Sequence, residues 1–303
     1  CWHMDEGAIE LSKNKYEIDM CNGTIMDKLI SFSFPLMLTS ILQLMFNAVD
    51  IIVVGRFSGS QSLAAVGSTT ALINIFTNLF IGISLGANVL AARYYAAGRD
   101  KEMSEAVHTA IFLALISGLI MAVVGVGASR FALTLMGTPD DVIDLSVLYM
   151  RIYFMGMPFF MLYNYGAAIL RAVGDTKRPL FYLIAAGLAN AVLDLLLVIV
   201  IPLNVAGVAV GTVASQMVSC ILVLRCLYRT EGSYQLRFSR LTIKSEHLKM
   251  IFQVGVPAGI QSTVINFSNA LLQSSVNSFG STAMAGYTAA NNIIGFLYSA
   301  VNA

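Results

Sequence analysis

Two carboxylates, Asp50 and Asp194, lie deep inside apolar stretches of this 303-residue sequence. An Asp in hydrocarbon costs at least roughly 3 kcal/mol on insertion scales, so such a residue is expected to face a bundle interior or a water-filled cavity and to serve ions or protons. Asp50 belongs to the run 30–57, ISFSFPLMLTSILQLMFNAVDIIVVGRF, where Gln43, Phe46 and Asn47 precede it by seven, four and three residues and so share its helical face. Asn190 stands one turn before Asp194 on the same face. Asp50 comes 18 residues after Phe32 and Asp194 comes 15 after Pro179, on spans that run in the same direction, which predicts similar depth. Two carboxylates flanked by amide oxygens can hold a proton, because burial and mutual repulsion both disfavour a second negative charge. They can equally form an oxygen cage for a hard cation such as sodium. The residues leave both chemistries open.

Those acids must be positioned by membrane spans. Hydrophobic residues make up 57% of the chain and charged ones 12%, with mean hydropathy +0.76, far from the soluble norm of about 25% charged. The pattern predicts an all-α, polytopic transmembrane helix bundle. Apolar runs fall at about 30–57, 63–92, 106–128, 143–172, 179–201 and 205–228, a basic linker comes next at 229–249, and a seventh run covers about 251–279. An eighth begins near Thr282. Thr138-Pro139-Asp140-Asp141 reads as the capped start of the fourth span. Residues 1–24 are polar and are expected to form a tail with no signal-peptide core; the chain opens with Cys rather than Met, which makes Met4 or Met20 a candidate start.

Lys and Arg alternate from loop to loop. Lys13, Lys15, Lys28, Arg93, Arg99, Lys101, Arg171, Lys177, Arg178, Arg225, Arg229, Arg237, Arg240, Lys244 and Lys249 fall on one side, against Arg56, Arg130 and Arg151 on the other. This bias predicts a cytoplasmic amino terminus. The chain also repeats. At an offset of 222, Pro35 falls on Pro257 and Phe46-Asn47-Ala48 on Ser268-Asn269-Ala270; at 220, Ser62, Ala65, Ser68 and Phe76 fall on Thr282, Ala285, Thr288 and Phe296. Six spans per unit make two lobes, residues 25–228 and 250 onward, related by an axis along the membrane normal; two such lobes need about 440 residues, so the second is expected to be incomplete here.

Other features argue for exclusion or for packing. A net charge of +1 gives no basic face for nucleic acid. No GxxxxGK[ST] stretch offers a nucleotide cradle, so uphill movement would need an ion gradient. The cysteines at 1, 21, 220 and 226 form no CxxC, and no cofactor, metal centre or enzymatic activity is expected. Gln43, Asn47, Asn164, Asn190 and Thr212 suit interhelical hydrogen bonds as well as a site, and Gly82/Gly86 and Gly207/Gly211 have the spacing of close helix packing. Tyr149, Tyr153, Phe159 and Phe160 cluster on the fourth span, where an aromatic wall would suit varied apolar or cationic ligands.

The run PLMLTSILQLMFNAVDIIVVGRF, succeeded in order by SLAAVGSTTALI, GANVLAARYYAAGR, LRAVGDTKRP, Asn190-x3-Asp194 and GVAVGTVASQ, resembles the multidrug and toxic compound extrusion (MATE) family over residues 23–303. The resemblance implies a twelve-helix, two-lobe exporter of organic, often cationic compounds, an antiporter driven by sodium or protons that alternates between outward-open and inward-open V shapes. Asp50 resembles the first-helix acid of the DinF-like branch, and Asn190, Asp194 and Thr212 match its ion-coupling partners, the set that would also hold sodium. Gln43, Tyr149 and Asn164 resemble its substrate-cavity residues, with Phe46 and Asn47 beside them, and Pro35 its first-helix hinge. Phe46 departs from the Tyr often found there. The NorM-like branch places an acid on the seventh helix, but residues 257–279 have none. The expected setting is the plasma membrane, multi-pass, as in the bacterial inner membrane, with small organic substrates, a lipid bilayer around the chain and a monomeric state. A lipid-linked glycan flippase is the rival within the superfamily, and a non-transporting receptor or assembly subunit the rival outside it.

Overall fold

Long apolar segments can enter a bilayer only as helices that satisfy their own backbone, and the fold consists of such helices in antiparallel succession. The computed structural model describes residues 18, 24–277 and 294. The helices are α1 (Ile25–Phe57), α2 (Gly59–Ala96), α3 (Asp100–Leu135), α4 (Asp140–Met155), α5 (Met157–Ala172), α6 (Lys177–Leu195), α7 (Asn204–Arg229) and α8 (Ser245–Asn277). Six of them are long and apolar enough to span a membrane alone. The pair α4 and α5 makes a seventh, bent by 46°. The expected eighth span and nearly all of the amino-terminal tail lie outside the described residues, as does the 220-offset part of the repeat.

The fourth span is therefore broken rather than straight. Pro158 sits in the first turn of α5, has no N–H to donate and would crowd the carbonyl of residue 154, so helix geometry stops at Gly156 and restarts at Met157. The residues on either side of the break are the heart of the core: Phe154, Met157, Met161 and Tyr165 are fully buried among α2, α3 and α7. Helix α4 starts at Asp140, with Pro139 as its cap and Asp140 and Asp141 in its first turn, one residue later than the Thr138 cap expected from sequence. The basic linker is also shorter than expected, because α7 continues to Arg229 and α8 begins at Ser245.

A second irregularity comes after α6. Residues Leu196–Val200 form a π turn, closed by Ile201 N–H donating to Leu196 C=O at 3.1 Å, and the chain then reverses into α7. Such a turn inserts one residue into the helical ring and rotates the segment before it relative to the segment after it. Asp194 lies two residues before its first residue, Leu196.

Helix α8 packs on α2 in antiparallel register. Gly82 abuts Gly259, and Gly86 abuts Ile251 C=O and Gly255, so backbone meets backbone. At one end of this contact Tyr94 Oη meets His247 Nδ1 at 3.3 Å, and His247 Nε2 lies 3.3 Å from Glu105 Oε2 on α3. Pro35 and Pro257, paired by the 222-residue offset, both lie inside their helices, α1 and α8. Pro35 lies within a continuous α1, where Thr39 Oγ1 donates to its carbonyl at 2.8 Å.

The α2–α8 contact makes opposite predictions for two glycines of one helix. Gly86→Ala places a methyl against the α8 backbone and should lower stability by about 1–3 kcal/mol. Gly67, also on α2, has nothing within 4 Å of a built Cβ, so Gly67→Ala should leave stability unchanged or raised. Thermal melts of the purified variants in detergent decide this, and equal shifts would contradict the close crossing.

Candidate functional site

The two span acids converge. Asp50 on α1 and Asp194 on α6 lie with their carboxyl groups in hydrogen-bonding reach of each other. Asp194 is fully buried and Asp50 half-buried. Asp50 Oδ1 and both Asp194 oxygens are shielded from solvent and have no donor. The reason is chemical: two carboxylates offer acceptors only, and a hydrogen bond between them requires a proton that one of them must carry. Asn190, one turn earlier on α6 and also buried, has an Nδ2 without an acceptor.

Local structure explains how Asp194 is placed. Its Oδ1 rests on Gly211 of α7, where any side chain would collide with it. The neighbouring glycine of that pair, Gly207, packs on the Leu197 backbone, with Leu197 O 2.9 Å from a built Cβ. Packing thus accounts for Gly207, while Gly211 makes room for the acid. The π turn that begins two residues after Asp194 sets the rotation of this last turn of α6. Thr212, next to Gly211, spends its hydroxyl proton on Val208 C=O at 2.9 Å and keeps only acceptor capacity for a ligand.

The other predicted residues divide into those near the pair and those elsewhere. Tyr149 on α4 is buried close enough to feel the charges of both Asp50 and Asp194, and it stacks on Tyr153 with centroids 6.2 Å apart. Phe46 is half-buried with its ring against Gly187 of α6, so it joins α1 to the wall that carries Asp194. Gln43 and Asn47 are exposed on α1, on the side that no described helix covers. Asn164 lies on α5 and donates to Phe160 C=O of its own helix at 2.8 Å; nothing brings it to the pair. Pro35 is buried on α1, a little over four turns before Asp50.

Sequence reasoning placed three neighbours outside the site. Tyr153, expected only as part of an aromatic wall, feels the charge of Asp50 and places its hydroxyl beside the Gln216 amide, although Gln216 Oε1 meets no well-aligned donor. Gly187 receives the Phe46 ring. Tyr153 is one turn from Tyr149 and Gln216 one turn from Thr212, so the four-residue spacing that pairs Asn190 with Asp194 would have found both. Together α1, α4, α6 and α7 enclose two acids, several amide and hydroxyl groups and two stacked phenols. This arrangement can hold a proton or a small cation.

Known proteins share both the sequence and this fold. Residues 35–196 match the MatE family model, a stretch that includes Asp50, Asn190 and Asp194. The chain is 31% identical over 275 residues to the probable multidrug resistance protein YoeA of Bacillus subtilis, covering 88% of this chain and 59% of that protein. It is 23% identical over 269 residues to the multidrug export protein MepA of Staphylococcus aureus, again covering 88% and 59%. Among solved structures it is similar to a MATE transporter in the bent conformation, with TM-score 0.85 and 23% identity over 92% of this chain and 62% of that one. It also matches the outward-facing conformation of a multidrug resistance MATE family transporter of the MOP superfamily, with TM-score 0.83 and 25% identity over 92% and 62%. The chain spans about three fifths of the length of these relatives. A MatE match across more than half of the chain, joined to the same helical fold, makes this protein a member of the MatE family.

Proposed function

We propose that this chain carries the ion-coupling site of a secondary active multidrug exporter, an antiporter in which Asp50 and Asp194 exchange a proton or a sodium ion against an organic, cationic or amphipathic substrate. The supporting observation is the facing carboxyl pair without a donor. In hydrocarbon an unmet acceptor is costly, so the pair draws in whatever cation is offered. A proton shared between the two would satisfy both, and sodium would find carboxylate oxygens beside Asn190 and Thr212. An organic cation competes for the same negative charge, and the stacked rings of Tyr149 and Tyr153 offer it a cation–π surface. Mutual exclusion of ion and substrate is the requirement for exchange.

The coupling site is of the DinF-like kind, in the helices that precede the α7–α8 linker. The amino terminus is on the cytoplasmic side of a bacterial plasma membrane, and the second lobe, which begins with α8, closes the cavity. Anions of a lipid-linked glycan would meet two acids here, which disfavours the flippase reading.

In proteoliposomes of the full-length protein under an imposed sodium or pH gradient, Asp50→Asn should abolish gradient-driven efflux of a fluorescent organic cation while leaving expression intact; undiminished efflux would sink the proposal. A second expectation concerns stability. Asp194→Asn supplies N–H donors opposite Asp50 and removes one of two adjacent negative charges, so at alkaline pH in sodium-free buffer the purified variant should be more stable than wild type by about 1–3 kcal/mol. A lower thermal midpoint than wild type under those conditions would show that the pair is not the unsatisfied element described.

A further inference from the structure

The last turn of α7 and the linker after it build a basic, aromatic surface that the coupling site does not use. Arg225 and Arg229 stand one turn apart on α7, both exposed. The chain then folds back on that turn: Leu236 N–H donates to Leu227 C=O at 3.0 Å, and Gln235 Nε2 to Tyr228 C=O at 3.4 Å. Leu227 and Leu236 are fully buried beneath the reversal, and Arg237 N–H donates to His108 Nε2 of α3 at 3.0 Å. The reversal is therefore fastened at both ends.

Its outer surface is unusual in composition. Phe238 stacks on Tyr228 with centroids 5.9 Å apart and planes 26° from parallel, yet the residues are 54% and 55% exposed. Arg237 and Arg240 flank Phe238 at the two ends of the single 3-10 turn Phe238–Arg240, and both are exposed. The stack thus brings one arginine pair, from α7, beside a second, from the linker. Among the described residues none of these four arginines has a carboxylate within ion-pair distance. These four exposed cations around an apolar platform can be reached by an anion from solvent.

The position says which anion. Helix α7 is a membrane span that ends at Arg229, so Tyr228 and the stack lie where the hydrocarbon gives way to headgroups. Amphipathic rings settle at that level, and guanidinium forks match phosphate oxygens. We propose that the Tyr228–Phe238 stack with Arg225, Arg229, Arg237 and Arg240 is a binding site for the phosphate headgroup of an anionic membrane lipid. The rings occupy the interface beside the glycerol region, and the arginines hold the phosphodiester. Because the same turn is tied to α3 and leads into α8, an occupied site stiffens the link between the two helices it joins. The proposal rests on the position of the α7 span and is independent of the transport reading.

The test is a titration of the purified protein in neutral detergent with short-chain phosphatidylglycerol, short-chain phosphatidylcholine and inorganic phosphate, following the thermal midpoint. Phosphatidylglycerol should raise the midpoint in a saturable way, while the other two should not at the same concentrations. Arg237→Gln with Arg240→Gln should weaken the phosphatidylglycerol effect about twenty-fivefold, at roughly fivefold per arginine. The paired Arg→Lys variants, which keep the charge but lose the guanidinium fork, should fall between wild type and the Gln variant and show that the turn is still folded. Equal stabilisation by phosphatidylcholine, an equal response to inorganic phosphate, or an unchanged affinity in the Gln variant would each overturn the site.

Discussion

Two enclosed carboxyl groups that face each other without a donor are the constraint on which the rest of this structure depends. A bilayer interior leaves polar groups no water to fall back on, so a fold that places Asp50 against Asp194 is complete only when something positive sits between them. The surrounding architecture preserves that demand. Gly211 gives Asp194 its space, the π turn Leu196–Val200 fixes its rotation, and Thr212, its hydroxyl proton already committed to Val208, cannot serve as the missing donor. Among the described residues no Lys or Arg approaches to neutralise the pair permanently, since the ion pairs lie at or near the ends of the helices.

The two acids differ in how firmly they are held. Asp194 is in the wall of the bundle, with α6 packed on α7 and no part of the side chain exposed. Asp50 rides on α1, whose residues are almost all exposed or half-buried and whose described neighbours are α2, α6 and α7. A change in charge on the pair therefore acts on a fixed partner and a looser one, and the looser one carries Pro35. That proline leaves the Ser31 carbonyl without its usual i+4 donor, so α1 has one place where bending sacrifices no hydrogen bond. Phe46 seated on Gly187 is a contact by which α1 meets α6 beside the pair.

Much of this was legible in the sequence because its cause was local. The spans follow from apolar run length, the paired depth of Asp50 and Asp194 from helical rise, and the α1 and α8 correspondence from two prolines at a fixed offset. The features that could not be read are those produced by tertiary contact or by backbone irregularity. Pro158 lies in an apolar run that looks continuous, and only the geometry shows that the helix restarts there with a 46° bend. The π turn has no composition signal in LLVIV. Gly207 and Gly211 share one motif, yet one meets a backbone and the other a carboxylate, a difference fixed by what α6 presents to them. Asn164 gives its amide N–H to its own helix, at Phe160 C=O, a bond that residue type alone does not announce.

The contact between α2 and α8 adds the last element. It is tight from Gly82 on Gly259 through Gly86 on Gly255 to Tyr94 on His247, with Glu105 of α3 and Lys244 of the linker closing around the histidine. Beyond Gly82, in the opposite direction, Ile75, Phe76, Leu79, Ile260, Thr263 and Val264 line an apolar gap of about 320 Å³. Small residues confine the backbone-to-backbone approach to one stretch of the crossing, and bulkier side chains line the gap in the next, so the closeness of the two helices is set by side-chain volume position by position.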